Sequence, residues 1–371
     1  MDELNWDTDK GTATLPWRAA RPGKPPRRAV AADDRITADS AYRAVSQGTA
    51  IVWTGDYVNA RQLLQAIARR IEGRKSAPNP GADPAARFHA NRQAEAQRAA
   101  MLSLLLVPVE NGRIALPRGP DAAEALADAL GETPPRYLLP LRDAAAALSA
   151  AEWKKNGVPV AALDGQKIHP RYGVFPPTRQ DYIDLMAATP LGEVPLAFDI
   201  GTGSGVLTAL LLKMGVARVT ATDTSPVAIA CAAANFERLG IADRVTLLEQ
   251  PLFPAGRAPL VVCNPPWLPG KAATPLEASV YDEGSRMLDG FLNGARDHLE
   301  PGGEAWLIIS DIAERLGLRP AGELLRKIEA AGLTIREKRD APPTHKKARD
   351  EADPLHFARA NEVVSLYRLS A

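Results

Sequence analysis

From Val194 onward the chain alternates short apolar runs with stretches of helical periodicity, and no other feature restricts its fold as tightly. Strand-like runs at 195–200, 217–223, 244–249, 259–263 and 304–310 alternate with helix-like segments at 204–214, 226–239, 285–299 and 320–331. A strand followed by a helix and another strand predicts a parallel pair joined by a crossover, and repetition of the unit predicts a doubly wound sheet. The last two runs, 333–338 and 362–369, read as an antiparallel pair with a long loop. The expected fold class is therefore α/β, a Rossmann-like seven-stranded, mostly parallel sheet with an antiparallel last strand. Such sheets bind ligands at the carboxyl ends of their strands, where the strand order reverses.

Three strand ends carry chemistry-bearing residues. The first reads Asp199-Ile-Gly201-Thr202-Gly203-Ser-Gly205 and runs straight into a helix. Glycines at alternate positions let the backbone turn tightly and approach a ligand, and the helix start offers free N–H groups. A nicotinamide fingerprint needs G-x-G-x-x-G, and Val206 breaks that match. The loop otherwise reads as a plain structural turn. The second strand ends at Asp223-Thr224-Ser225-Pro226, where the acid is placed either for the ribose hydroxyls of a nucleoside or to cap the following helix. The third run stops at Asn264-Pro265-Pro266-Trp267. Two prolines cannot donate to a ladder and push their predecessors out of the helical region, so the chain leaves the sheet stiffly. An amide acceptor beside an aromatic ring suits a flat group bearing –NH2. Trp267 alternatively reads as a core aromatic, and Cys263, on the other side of the strand from Asn264, as packing rather than as a nucleophile.

With the glycine loop and the Asn-Pro-Pro-Trp sequence in this order, residues 170–310 resemble class I S-adenosylmethionine-dependent methyltransferases of the group with an N/D-P-P-F/Y/W motif. That group includes amino-methyltransferases of DNA adenine, of rRNA and tRNA bases, and of release-factor glutamine. The resemblance implies S-adenosyl-L-methionine as cofactor. It implies that Asp199, Gly201 and Gly203 hold the methionine and sulfonium end, with Thr202 and Gly205 in the same loop, and that Asp223 holds the ribose with Thr224 beside it. Phe175, Pro177 and Thr178 border the cofactor ahead of the first strand. Asn264 and the Pro265 carbonyl accept hydrogen bonds from the target amine, Pro266 stiffens the turn, and Trp267 stacks on the planar substrate. Relatives often place an Asp after the third strand for the adenine amino group; here Pro251 takes that position, leaving Glu249, Gln250 or a backbone amide for the contact.

The remaining chain is read from composition. Residues 1–35 are rich in Gly, Pro, Ala and Arg and read as a disordered basic tail. Residues 36–155 read as a mainly helical N-terminal domain with a possible substrate-recognition role: helices at 37–46, 59–71 (capped by Asn59), 86–105, 121–130 and 143–153, a short strand at 50–53, a Pro/Gly/Asn-rich break at 77–84, and a hairpin around Asn111-Gly112. Residues 156–371 read as a hairpin turning at Asp164-Gly165 followed by the catalytic domain, a layout the resemblance associates with the glutamine methyltransferases. Net charge is +1, so only local clusters can speak for partners. The basic tail, the basic excess at 61–98 and the segments Arg336–Arg339 and His345–Arg349 tip the expected substrate toward an exocyclic amine of an RNA base, with ribosomal RNA the expected source. The alternatives are a protein glutamine (release factor or ribosomal protein) and a cofactor-binding module without catalysis. Five histidines without metal spacing predict no metal, the lack of a long apolar run predicts no membrane span, and two cysteines without a CxxC pair fit a cytoplasmic protein.

Overall fold

The computed structural model describes residues 2–8, 11–21, 23–73, 81 and 83–371. The chain forms two compact units, 1–80 with 89–152, and 81–88 with 153–371. Elements of the first half are β1 (Glu3–Thr8), β2 (Gly11–Pro16), β3 (Arg28–Ala32), α1 (Ala38–Ser46), β4 (Thr49–Trp53), α2 (Tyr57–Glu72), α3 (Pro84–Leu102), β5 (Leu105–Glu110), β6 (Arg113–Ile114), α4 (Ala123–Leu130), β7 (Arg136–Pro140) and α5 (Leu141–Asn156).

Two expectations are corrected here. The segment expected as a disordered tail is strand: β1 and β2 form an antiparallel hairpin and β3 lies parallel to β4. Composition hid a period of two. Leu4 and Trp6 alternate with polar neighbours and are buried, and Ala13, Leu15 and Trp17 pack with them against Ala50, Val52, Leu106 and Leu138. Residues 36–155 do hold the helices expected of them, α1 to α5, but these accompany a seven-stranded sheet that was not expected, ordered β2-β1-β3-β4-β5-β6 with β7 also paired to β5. Asp56, not Asn59, caps α2, its carboxylate accepting from Val58 N at 2.8 Å. Most of the break at 77–84 lies outside the described residues. Some of the basic residues are engaged and others displayed: Arg18 donates to the Leu130 and Glu132 carbonyls, Arg70 pairs with Asp39 at 2.7 Å and Arg98 with Glu72 at 2.9 Å, whereas Lys24, Arg27, Arg28, Arg61 and Arg69 are exposed.

In the second unit, β8 (Val158–Pro159) and β9 (Lys167–Ile168) make the small hairpin expected around Asp164-Gly165. Then come α6 (Asp181–Ala187), β10 (Leu196–Ile200), α7 (Val206–Lys213), β11 (Arg218–Asp223), α8 (Pro226–Leu239), β12 (Val245–Glu249) and β13 (Ala258–Cys263). They are followed by β14 (Leu268–Pro269), β15 (Tyr281–Asp282), α9 (Arg286–His298), β16 (Leu299–Ser310), α10 (Ile312–Arg315), α11 (Glu323–Ala330), β17 (Thr334–Ala341), α12 (His356–Arg359) and β18 (Val364–Ser370). The sheet runs β12-β11-β10-β13-β16-β18-β17, parallel except that β18 is antiparallel to both neighbours. This is the Rossmann-like sheet the alternation predicts. Both faces are buried, and the strands show it by alternation: Ala197, Leu260 and Val262 face one apolar cluster, Phe198, Val261 and Cys263 the other. Cys263 is fully buried, and burial, with Asp199 and Asp282 nearby, holds its thiol well above the usual range. It packs; it is not a poised thiolate.

Two boundaries move. β17 runs past the expected end at 338 to Ala341 and so takes in all of Arg336–Arg339, where Arg339 bonds Glu337 and Lys338 bonds Asp340. The residues after Trp267, unassigned from sequence, form the parallel pair β14–β15.

Candidate functional site

The chain order steps from β10 outward to β12 and then returns to the other side of β10 with β13. The reversal puts a crevice at the carboxyl ends of β10, β11 and β13, so that Asp199, Asp223 and Asn264 come from three neighbouring strand ends.

The glycine turn closes over β10 with Gly201, Gly203 and Gly205 at φ +76°, +56° and +83°. Gly201 N and Thr202 N both donate to Thr222 O at 2.9 Å, tying the turn to the end of β11. Asp199 is placed beneath this turn rather than at its surface. It is 1% exposed, and its Oδ2 accepts from Thr202 Oγ1 at 2.8 Å and Thr208 Oγ1 at 2.6 Å. Burial pushes its carboxyl up, and the two threonine bonds oppose that. Thr202 is therefore turned inward too. Above them Gly203 is half-buried, and a Cβ built on it would meet nothing within 4 Å. The loop thus leaves an open floor at the crevice.

Asp223 is half-buried at the end of β11 and accepts from Gly203 N at 3.0 Å and Ser225 N at 2.9 Å. The cap of α8 is Ser225, whose Oγ accepts from Ala228 N, so Asp223 is not the cap. Thr224 is exposed beside it. Beyond β12, Gln250 donates its main-chain N–H to Asp223 O and its side-chain amide to Phe253 O at 2.7 Å. Phe175 is half-buried, Pro177 buried and Thr178 exposed. These lie between Val174, packed on Ala228 and Cys231 of α8, and Arg179, over Trp267, so the segment runs from one flank of the crevice to the other.

At the third strand end Asn264 is half-buried, Pro265 buried and Pro266 half-buried. Trp267 departs from the expected free plate. Its Nε1–H donates to Asn264 Oδ1 at 2.9 Å, its ring packs against apolar side chains, and the Arg179 guanidinium lies 4.5 Å from the ring centroid. Sequence reasoning missed Arg179, which has no motif; the only signal is its place two residues before Asp181. It also missed Asp282, whose carboxylate accepts from Met287 N and Leu288 N and so fixes the start of α9 against Gly201.

Arg179 belongs to a polar cluster. Nε donates to both oxygens of Asp181 at 2.8 and 2.9 Å, and Nη1 pairs with Glu362 at 3.0 Å. Glu362, 2% exposed, also accepts from Ser310 Oγ at 2.6 Å and faces His345 Nε2 at 3.1 Å. Burial alone would raise the Glu362 carboxyl, but His345, Arg179 and Ser310 together hold it below its ordinary 4.5. A depressed carboxyl stabilises the fold above the unfolded-state value and loses that contribution as pH falls through the folded one. Glu362→Gln is therefore expected to flatten the acid limb of stability below about pH 4.5, read as melting temperature against pH; an unchanged limb would refute the coupling.

A cleft of about 760 Å³ lies at the opposite, amino edge of the sheet, lined by Gly302, Gly303, Arg336 and Arg368. Arg368 there is paired with Glu304 and Glu337, leaving no convergent set of reactive groups comparable to the carboxyl edge. Among the described residues no three His, Cys, Asp or Glu side chains are grouped to hold a metal ion, and no helix is long and apolar enough to cross a membrane.

The sequence matches the family model described as ribosomal protein L11 methyltransferase (PrmA) over residues 184–303. It is 31% identical over 270 residues to the release factor glutamine methyltransferase of Cereibacter sphaeroides, covering 65% of this chain and 91% of that protein. It is 36% identical over 143 residues to the ribosomal protein L11 methyltransferase of Pelotomaculum thermopropionicum, covering 38% of this chain and 39% of the relative. A solved S-adenosylmethionine-dependent methyltransferase from Thiobacillus denitrificans overlays 52% of this chain and 92% of its own at 17% identity, with a TM-score of 0.37.

Proposed function

Since this chain belongs to the S-adenosylmethionine-dependent methyltransferase family that contains the release factor glutamine methyltransferases, we propose that it methylates the side-chain amide nitrogen of a glutamine in a protein. The observation that carries the choice of substrate is the similarity running along 91% of a relative that bears this activity in its name. The RNA-base expectation is replaced. The relatives named above act on proteins, and part of the basic charge that favoured RNA is spent within the fold, Arg70 and Arg98 in ion pairs and Arg336–Arg339 in a strand. A ribosomal protein is the second protein substrate to test, favoured by the match to the L11 enzyme's model. A cytoplasmic location, with the translation machinery, goes with either.

The open floor at Gly203, beside the half-buried Asp223, suits the methyl donor, because no atom lies within 4 Å of where a Cβ on Gly203 would stand. When bound, S-adenosyl-L-methionine supplies an already activated methyl group. Gly201, Gly203 and Gly205 shape its bed, Asp223 and Thr224 take the ribose side, and Gln250 and the 175–178 segment border the adenine side. Asp199 and Thr202 serve from beneath by fixing the turn. The chain's remaining task is to orient a poor nucleophile. The lone pair of an amide nitrogen is delocalised into its carbonyl. Asn264 Oδ1 and Pro265 O, each accepting one N–H, turn the nitrogen so that its lone pair faces the cofactor, and Pro266 holds the two acceptors in register. Positioning of this kind supplies most of the acceleration, so no strong base is required.

The test is direct. Incubated with labelled cofactor, the protein is expected to label a release factor or ribosomal protein on glutamine, and substitution of that glutamine should remove the label. Label appearing in protein-free rRNA or tRNA instead would overturn the reading.

A further inference from the structure

Building on that reading of Asn264, we propose that Trp267 is a positioning residue that fixes the Asn264 amide, clamped by Arg179, and not a plate on which the substrate stacks. An indole N–H only donates, so the atom facing it at 2.9 Å is the Asn264 oxygen and not its NH2. The contact thereby removes the two-fold ambiguity of a side-chain amide. It leaves the second lone pair of Oδ1 for a substrate N–H. Phe at this place has no donor at all, so Trp and Phe are not equivalent here.

The ring is itself held. Arg179 lies over it at 4.5 Å, and Arg179 is anchored by two carboxylates, Asp181 and Glu362, which are 3% and 2% exposed. A cation so fixed occupies one face of the ring, apolar side chains pack against the indole as well, and attraction to the ring holds it in turn. Arg179 Nη2, buried and without a partner, marks how far the side chain is committed to this place: it forgoes a bond to keep the two it has. The result is a relay from Asp181 and Glu362 through Arg179 and Trp267 to Asn264.

Trp267→Phe keeps the ring and removes the donor. It is expected to lower kcat roughly tenfold while leaving KM for a glutamine peptide within about twofold, because orientation and not binding is lost. Arg179→Met should give a similar loss, and the double variant should be little worse than Trp267→Phe alone, where independent effects would multiply to about 100-fold. If Arg179→Met does not fold, Arg179→Lys, which keeps a cation without the forked contact, carries the same expectation. A second readout needs no substrate: in protein labelled with 15N-tryptophan, the indole signal that vanishes in Trp267→Phe should shift and exchange faster with solvent in Asn264→Ala and in the Arg179 variant. An unchanged kcat with a raised KM in Trp267→Phe, or an indole signal indifferent to both substitutions, would overturn the proposal. If no glutamine substrate accepts a methyl group, the functional reading fails by itself, and the indole signal still decides the relay.

Discussion

Asn264→Ala is expected to abolish methyl transfer, with a loss in kcat on the order of 10²–10³-fold, the scale on which removal of a single preorganised polar contact to a reacting group is felt. Affinity for the cofactor should change little, since the glycine turn and Asp223 remain. The substitution also leaves the Trp267 indole N–H without its acceptor, which costs about 1–2 kcal/mol of stability. Single-turnover transfer of labelled methyl, with calorimetric titration of S-adenosylhomocysteine alongside, separates the effects. Unimpaired transfer would refute the role given to Asn264, and lost cofactor binding would move it to the other side of the crevice.

The second large effect concerns two glycines of the same turn that differ in what surrounds them. A Cβ at Gly205 would lie 2.5 Å from Phe236 Cε1 and 3.3 Å from Ala232 Cβ, with φ at +83°. Phe236 is 1% exposed and cannot give way cheaply. Gly205→Ala therefore combines a left-handed backbone penalty with overpacking, together about 2–4 kcal/mol, or roughly 5–15 °C in melting temperature. Gly203→Ala carries only the backbone penalty, about 1–2 kcal/mol, because its Cβ would meet nothing. That methyl would instead project into the open floor where the cofactor is placed, and cofactor binding should weaken much more than stability. Thermal melts and cofactor titrations of the two variants check the contrast. Equal destabilisation with unaltered cofactor affinity in Gly203→Ala would mean that the floor is not the cofactor's bed.

Legibility in the sequence followed the range of the signal. The catalytic sheet was readable because βαβ alternation is local and its strands, buried on both faces, are continuous apolar runs; β13 and α8 fall within a residue of their expected bounds. The three strand ends were readable because loop chemistry there is dense: alternate glycines, an acid, and two prolines. The N-terminal sheet was not. Its first strands carry only the pairs Leu4–Trp6 and Ala13–Leu15, a two-point alternation drowned by Pro, Gly and Arg around them. Their burial depends on Val52, Leu106 and Leu138, which arrive from far along the chain.

At the site itself, residue type fixed which strand ends hold an acceptor, an acid and a glycine turn, because those properties are covalent and their spacing is set by one strand–helix–strand unit. Side-chain direction was decided only by the tertiary structure. Asp199 and Asp223 look alike as strand-end acids, but Thr202 and Thr208 draw the first inward while the second stays half-buried at the edge. Trp267 looked like a substrate plate until Arg179 and Asn264 were seen to hold it. Arg179 takes that place because Glu362, 183 residues away in the chain, supplies one of its two anchors. Only folding brings that carboxylate there, since the partners of a buried charge are selected by desolvation in three dimensions and leave no periodic trace along the chain.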